Sequence, residues 1–368
     1  MPEFVQPSRL GQAYSGSFGA DTDELFLKVF SGEIITTFEK YNVMMPLHRV
    51  RTINSGKSAQ FPVTGVAEAK YHVPGESVLS EASGSSLFAA GSSGGSPTTS
   101  FDSGNSPASK YLNRFKHNEK VIFIDDVLVS SVFVADIDEM KNHYDVRSIY
   151  STEIGRALAY TADKNLIRTV IAGARRTADR FGGSDATLLG DQIQINSSPT
   201  GTTLINGLFE AAQKMDEANV PSEDRFCVLK PSMYYLLVNS NKDAINRDYG
   251  NEGNGSTASG MVMSVAGIRI LKSNHIPATD ESAATNVHNA TGVKNDVYGS
   301  GGVGYGQVSY ADTEGVVFHR EALGTVKLMD LGLESEYITE RLGTLMLAKY
   351  AMGHNVLREE CCYELIST

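Results

Sequence analysis

Between residues 136 and 174 apolar side chains recur every three or four positions: Ile137, Met140 and Tyr144, then Ile154, Leu158, Ala162, Leu166 and Val170. That is a helical period, with Asp136 or Asp138 placed to cap its start and Gly173 near its end. At about 1.5 Å per residue such a helix is roughly 50 Å long, enough to cross an ordinary domain. It lacks the charge-flanked heptads of a coiled coil, so the pattern predicts a spine on which separate subdomains are hung.

The chain before the spine is patterned differently. Residues 1–22 are polar and aperiodic, and predict an arm that orders only against something else. Residues 23–40 place Leu25, Phe26, Val29, Ile34 and Phe38 on one broad helical face. A strand-like segment, 43–53, carries His48, Arg49 and Arg51. Residues 58–73 also read as a strand, with Pro62 suited to a sheet edge. The pattern then dissolves into a Gly/Ser/Pro-rich tract over 80–110, and two strand candidates between 111 and 137 lead into the spine. The simplest geometry is a long two-stranded hairpin with this tract as its flexible tip. Such a hairpin is marginal alone in water and is expected to lie on a partner.

After the spine, 175–199 is loop-like and 202–218 is a second amphipathic helix through Leu204, Leu208 and Met215. Residues 225–229 predict a short buried strand, and Pro231 at N1 opens another helix. Strands at 262–270 and 307–319 complete an α/β subdomain, with polar loops at 239–260 and 278–302. Two further strands fall between 316 and 356, and the tail LREECCYELI predicts a last one.

Composition narrows the function. Hydrophobic residues make up 41% of the 368, ordinary for a globular chain with a sizeable core. The formal net charge is -11, which argues against firm binding of nucleic acid through clustered Lys and Arg. No run is long and apolar enough to predict a transmembrane helix, and the N-terminus does not read as a signal peptide, so no membrane partner is expected. Three cysteines, two of them adjacent (Cys361 and Cys362), predict buried free thiols rather than a disulfide framework, in a soluble protein made inside a cell.

Apparent chemical motifs lack their context. Gly299, Gly301 and Gly304 fit G-x-G-x-x-G without the flanking strand and helix. Gly56-Lys57-Ser58 resembles the end of a P-loop, yet Arg51 stands where its first glycine belongs. The fit of residues 91–95 to G-x-S-x-G falls in the Gly/Ser tract, not on a strand-to-helix turn. Asp125-Asp126 and the Asp136-Asp138-Glu139 group are carboxylate clusters, the second explained by a helix start. The eight histidines show no metal-ligand spacing. No catalytic, cofactor-binding or metal site is expected, and the chemistry is association.

Several blocks resemble one family. DELFLKVFSGEIITTFEK (23–40), HRVRTINSGKSAQFPVTGVAEAKYHVPGE (48–76), EKVIFIDDVLV (119–129), MKNHYDVRSIYSTEIGRALAYTAD (140–163), FHREALGTVKLMDL (318–331) and AKYAMGHNVLRE (348–359) look like the major capsid protein of short-tailed, autographivirus-type podophages. They fall along most of the chain in the family order, and the chain departs from the family in its longer, Gly/Ser-richer 80–110 tract. The resemblance implies an α+β tailed-phage and herpesvirus capsid fold. Its parts are an N-terminal arm and helix (1–56), an extended hairpin loop (57–120), a peripheral domain (121–185 and 305–350) with its spine helix (136–174), and an axial domain (186–304 and 351–368).

The function implied is a structural subunit, not an enzyme, that self-assembles into pentamers and hexamers of an icosahedral head around double-stranded DNA without sequence-specific binding. It implies a virion protein, assembled in the host cytoplasm, with a scaffolding protein and a portal as partners and no cofactor. Expected inter-subunit contacts are Phe26, Phe30, Arg49, Arg51, Lys57, Tyr71, Arg114, Lys116, His143 and Arg147. An encapsulin-like nanocompartment shell shares this fold and is the alternative. A more distant one is an α/β hydrolase-like enzyme, for which no Ser/His/Asp or metal constellation can be built.

Overall fold

The computed structural model describes residues 34–65, 69, 71–72, 74, 117–137, 146–179, 181, 185–240, 255–256, 261–262, 264–282 and 308–367. The chain divides into two compact units, Phe61–Lys120 and the remainder, Met1–Gln60 with Val121–Thr368. Strands β2 (Ser58–Thr64) and β3 (His117–Phe123) pair with each other in a two-stranded sheet. The 80–110 tract lies outside the described residues.

The larger unit is built on two sheets and one helix. A four-stranded sheet has the order β1-β12-β13-β4, from β1 (Arg49–Thr52), β12 (Leu323–Ile338), β13 (Gly343–Val356) and β4 (Leu128–Ala135). A six-stranded sheet has the order β5-β14-β11-β6-β10-β9. Its strands are β5 (Asp191–Gln194), β6 (Arg225–Leu229), β9 (Ser264–Val265), β10 (Ile268–Lys272), β11 (Thr313–His319) and β14 (Cys362–Ile366). A further two-residue pair joins β7 (Gly255–Ser256) to β8 (Met261–Val262).

Helix α1 covers residues 34–41, the described part of the helix expected over 23–40. Helix α2 runs Val146–Ala174, 29 residues or about 44 Å. Residues 136–137 are also helical, and 138–145 lie outside the described residues. The apolar stripe of α2 serves two cores in succession. Ile154, Leu158 and Ala162 pack with Ile34 and Phe38 of α1 against Met346, Ala348, Tyr350 and Met352 of β13. One to three turns on, Leu166, Val170 and Ala174 enter a larger core shared with Val228, Val317, Phe318 and Leu365 of the six-stranded sheet. The helix thus carries both sheets, because one stripe at helical spacing outlasts either sheet's width.

Helix α3 (Gly201–Glu217) begins with a capping box: the Thr200 hydroxyl accepts from the Thr203 N–H at 3.3 Å, while the Thr203 hydroxyl accepts from the Thr200 N–H at 2.9 Å. Its Leu204, Leu208, Ala211 and Met215 are buried. Helix α4 (Pro231–Ser240) starts on its proline as expected.

Two sequence expectations change. The segment 175–199 contains β5, which pairs in parallel with β14 through Tyr363↔Asp191 to Ile366↔Gln194. The strand expected over 262–270 is broken, because Ala266 and Gly267 both take positive φ (52° and 76°) and form the tight turn of a β9–β10 hairpin. Strand β11, within the 307–319 strand read into the α/β subdomain, lies between β6 and β14 in the six-stranded sheet. Its core-facing run Val316, Val317 and Phe318 is fully buried, which suits a central strand rather than an edge.

Candidate functional site

Three polar assemblies hold the larger unit together, and each joins distant parts of the chain. The first is centred on Asp163, a fully buried carboxylate on α2. It accepts from the Val43 N–H at 2.8 Å and the Met44 N–H at 3.1 Å, fixing the turn after α1. It also takes His275 Nδ1 at 2.8 Å from the loop after β10. Two backbone N–H donors and one imidazole thus satisfy a charge that would be expensive to bury alone.

The second assembly is a hydrogen-bonded chain of buried side chains. His48 Nδ1 lies 2.9 Å from the Met44 carbonyl, and its Nε2 lies 2.6 Å from the Thr325 hydroxyl, which is 2.8 Å from His354 Nδ1. A carbonyl only accepts, so His48 Nδ1 donates to it and Nε2 accepts the Thr325 proton; His354 then donates to the same hydroxyl. Burial pushes the His48 imidazole down to about 4 and that of His354 to about 3. Both rings are neutral at ordinary pH and tie the start of β1 to β12 and β13.

The third assembly closes the far end of α2. Arg175 holds the buried Glu364 with Nε and Nη2, both at 2.7 Å, and Arg176 holds the buried Glu359 at 2.7 Å. Arg358 bridges Glu360 (2.8 Å) and Glu321 (2.7 Å), and Glu321 also pairs with Arg49 on β1. Cationic residues at a helix C-terminus suit its dipole. The neighbouring Cys361 and Cys362 are buried and outside any disulfide, as is Cys227, and burial raises the Cys362 and Cys227 thiols well out of the reactive range. Gly173 permits this closeness, since a Cβ there would meet Cys362 Sγ at 2.7 Å.

Among the described residues, no group of three or more His, Cys, Asp or Glu is placed to hold a metal ion. No helix of the described residues is long and apolar enough to cross a membrane. A shallow cavity of about 260 Å³ lies beside the start of α4, lined by Lys230, Ser232, Ser273 and Asn274. Lys230 is engaged there by Glu314 at 3.4 Å, and the Ser273 hydroxyl by the His275 N–H at 3.1 Å.

The surface is more informative. Of the expected contact residues, Arg49 is exposed on β1 and paired with Glu321. Arg51 is exposed, its Nη1 donating to the Gln60 carbonyl at 3.0 Å. Lys57 and Tyr71 are exposed. Phe26, Phe30, Arg114, Lys116 and His143 lie outside the described residues, as does the side chain of Arg147 at the start of α2. The glycines of 299–304 and the serine tract of 91–95 lie outside them too. Sequence reading missed a set of exposed apolar residues: Val127, Val129 and Phe133 beside β13, Ile137, Ile149 on α2, and Leu342. Leu342 sits at a φ of 49° in the turn between β12 and β13. In sequence these residues look like ordinary strand and helix hydrophobics, and only the folded chain shows that they are exposed.

Comparison with known proteins bears on these surfaces. A family model described as "Gp10A-like: Major capsid protein" matches residues 101–366. The major capsid protein of Escherichia phage T7 is 32% identical over 355 residues, covering 91% of this chain and 90% of that protein. Among solved structures, the capsid of cyanophage P-SCSP1u is similar with a TM-score of 0.66 and 39% identity over 99% of both chains. The mature capsid of bacteriophage PhiM1 has a TM-score of 0.61 at 15% identity, covering 99% of this chain and 92% of that one, which shows a shared fold. With its two-sheet architecture carried on one long helix and with relatives matched over nearly its whole length, the chain belongs to the Gp10A-like family of phage major capsid proteins.

Proposed function

We propose that this phage major capsid protein builds pentamers and hexamers of a closed icosahedral head around double-stranded DNA, working by association and not by catalysis. The observation that carries the reading is end-to-end likeness to a capsid subunit, over 99% of both chains at 39% identity. The surface supports it. A chain with apolar side chains left outside on β4, on α2 and in the β12–β13 turn has surface suited to burial against neighbours.

In this reading the four-stranded sheet with the first half of α2 is the peripheral part, and the six-stranded sheet with α3 and α4 is the axial part. Residues 1–56 and 57–120 are the arm and the hairpin loop. The contact set is the one expected from sequence: Phe26, Phe30, Arg49, Arg51, Lys57, Tyr71, Arg114, Lys116, His143 and Arg147. Many modest heterologous contacts give high avidity once the geometry closes. The net charge of -11 suits an inner wall that does not grip the genome. A scaffolding protein and a portal are the implied partners.

Negative-stain microscopy tests this on the purified chain, alone and with the scaffolding protein of its phage. Closed shells, tubes or five- and six-membered rings are expected. A uniform small monomer under both conditions refutes the reading.

A further inference from the structure

The four-stranded sheet ends on β1 at one edge and on β4 at the other. All four residues of β1 are exposed. It accompanies β12 from Gly324 to Lys327 and no further. Beyond that point β12 continues to Ile338 with β13 as its only strand neighbour among the described residues. Register shifts at Lys327/Met329 and Met329/Gly332 mark the change from the covered half to the open one.

This distal half also has an uncovered face. Met346 and Ala348 point into the core with α1 and α2, so alternation turns Leu345 and Leu347 the opposite way. The register sets Leu345 beside Phe133, Leu347 beside Ser131 and Lys349 beside Val129. Val129 and Phe133 are 48% and 37% exposed, and the two leucines are partly exposed. The result is an apolar band across β4 and β13.

Its rim is acidic. Asp330, Glu334 and Glu336 of β12 and Glu340 of the following turn are exposed. Lys349 engages Glu334 at 2.5 Å, Lys327 lies 3.6 Å from Asp330, and Arg341 is the cation of the turn. Four carboxylates therefore face three cations. The β1 end has the opposite character: Arg49, Arg51 and Lys57 are exposed, and between the arginines Val50 is 41% exposed.

We propose that the open distal half of the sheet in one copy receives the β1 edge of a second copy. Arg51 and Lys57 lie against the acidic rim, and Val50 lies against the apolar band. The proposal rests on the shell reading and names the surfaces that meet. Two different patches on each copy make the contact heterologous, so every copy both gives and receives, which is what rings and closed shells require. Opposite charge steers the encounter and fixes its register, while apolar burial supplies most of the affinity. Arg49 stays with Glu321 and Arg358 and holds the edge in place.

Charge reversal tests the pairing. The variants are Arg51→Glu with Lys57→Glu, Glu336→Lys with Glu340→Lys, and the four changes together. Each is followed by light scattering and microscopy where the unaltered chain forms shells, with circular dichroism as the check on folding. Either one-sided reversal is expected to slow assembly by about tenfold or more, and the fourfold variant to recover most of that loss. A folded fourfold variant that does not recover overturns the proposal, as does normal assembly of either one-sided variant. A loss on the acidic side alone that basic-side reversal cannot rescue assigns the rim to another partner, and also overturns it. Failure of the unaltered chain to form any shell refutes the shell reading itself.

Discussion

The core of the six-stranded sheet and the distal half of the four-stranded sheet are made from similar strands, yet one is complete and the other is not. Around β6, β11 and β14 every strand residue but one is buried, and the carboxylates that enter there are met by Arg175 and Arg176. Around distal β12, β13 and β4, one face packs on α1 and α2 while the other leaves Val129 and Phe133 outside with an acidic rim. The difference separates two jobs. The first region stabilises the single chain, and in the proposed assembly the second stabilises contacts between chains.

Substitutions at the two regions sharpen that division. Leu166→Ala removes a fully buried side chain where α2 enters the larger core, and is expected to reduce unfolding free energy by roughly 3 kcal/mol. Denaturant unfolding of the unassembled chain measures it. A shift below about 1 kcal/mol would mean that this core is looser than its burial indicates.

Acid attacks the seam between the regions. His48 and His354 have folded-state values of about 4 and about 3, below the value of about 6.5 in an unfolded chain. The unfolded chain therefore takes up protons first. The stability these groups contribute is complete above pH 6.5 and is lost as pH falls towards 4. For His48 alone the loss is on the order of 3 kcal/mol. The charges facing the pair are Lys327, which opposes protonation of both, and Asp163, which favours it at His48. Replacing His354 by Gln should flatten the pH dependence of the denaturation midpoint over that window. An unchanged slope would remove the chain of His48, Thr325 and His354 from the account.

The smallest stability effect belongs to the open face. Val127→Ser with Val129→Ser alters side chains that are about half exposed, and is expected to change stability by about 1 kcal/mol or less. The yield of shells should nevertheless fall. Loss of stability with normal shells would reverse the assignment.

What the sequence disclosed depended on how local the cause was. Helix α3 was legible because Leu204, Leu208 and Met215 recur at helical spacing, and β6 because Arg225–Leu229 is a bounded apolar run. Strand β5 was not, since Asp191–Gln194 has one apolar side chain directed inwards, Ile193, and owes its form to pairing with β14 some 170 residues away. Strand β11 was legible, and was read with the α/β subdomain, whereas its pairing with β6 and β14 was not, because those neighbours are distant in sequence. The basic edge at Arg49, Arg51 and Lys57 could be picked out from the sequence. Its proposed acidic counterpart could not, because Glu336 aligns with the exposed Phe133, and Glu334 with Ser131, only through the register of β12, β13 and β4.

The central claim is that β1 and the distal four-stranded sheet are completed by neighbours, whereas the six-stranded sheet is complete in one chain. Backbone hydrogen exchange, compared between unassembled chain and closed shells, tests it most directly. The account predicts that residues 49–52, 128–135 and 329–347 gain strong protection on assembly, while 225–229 and 313–319 are equally protected in both states. Equal protection of the distal sheet before and after assembly would contradict it.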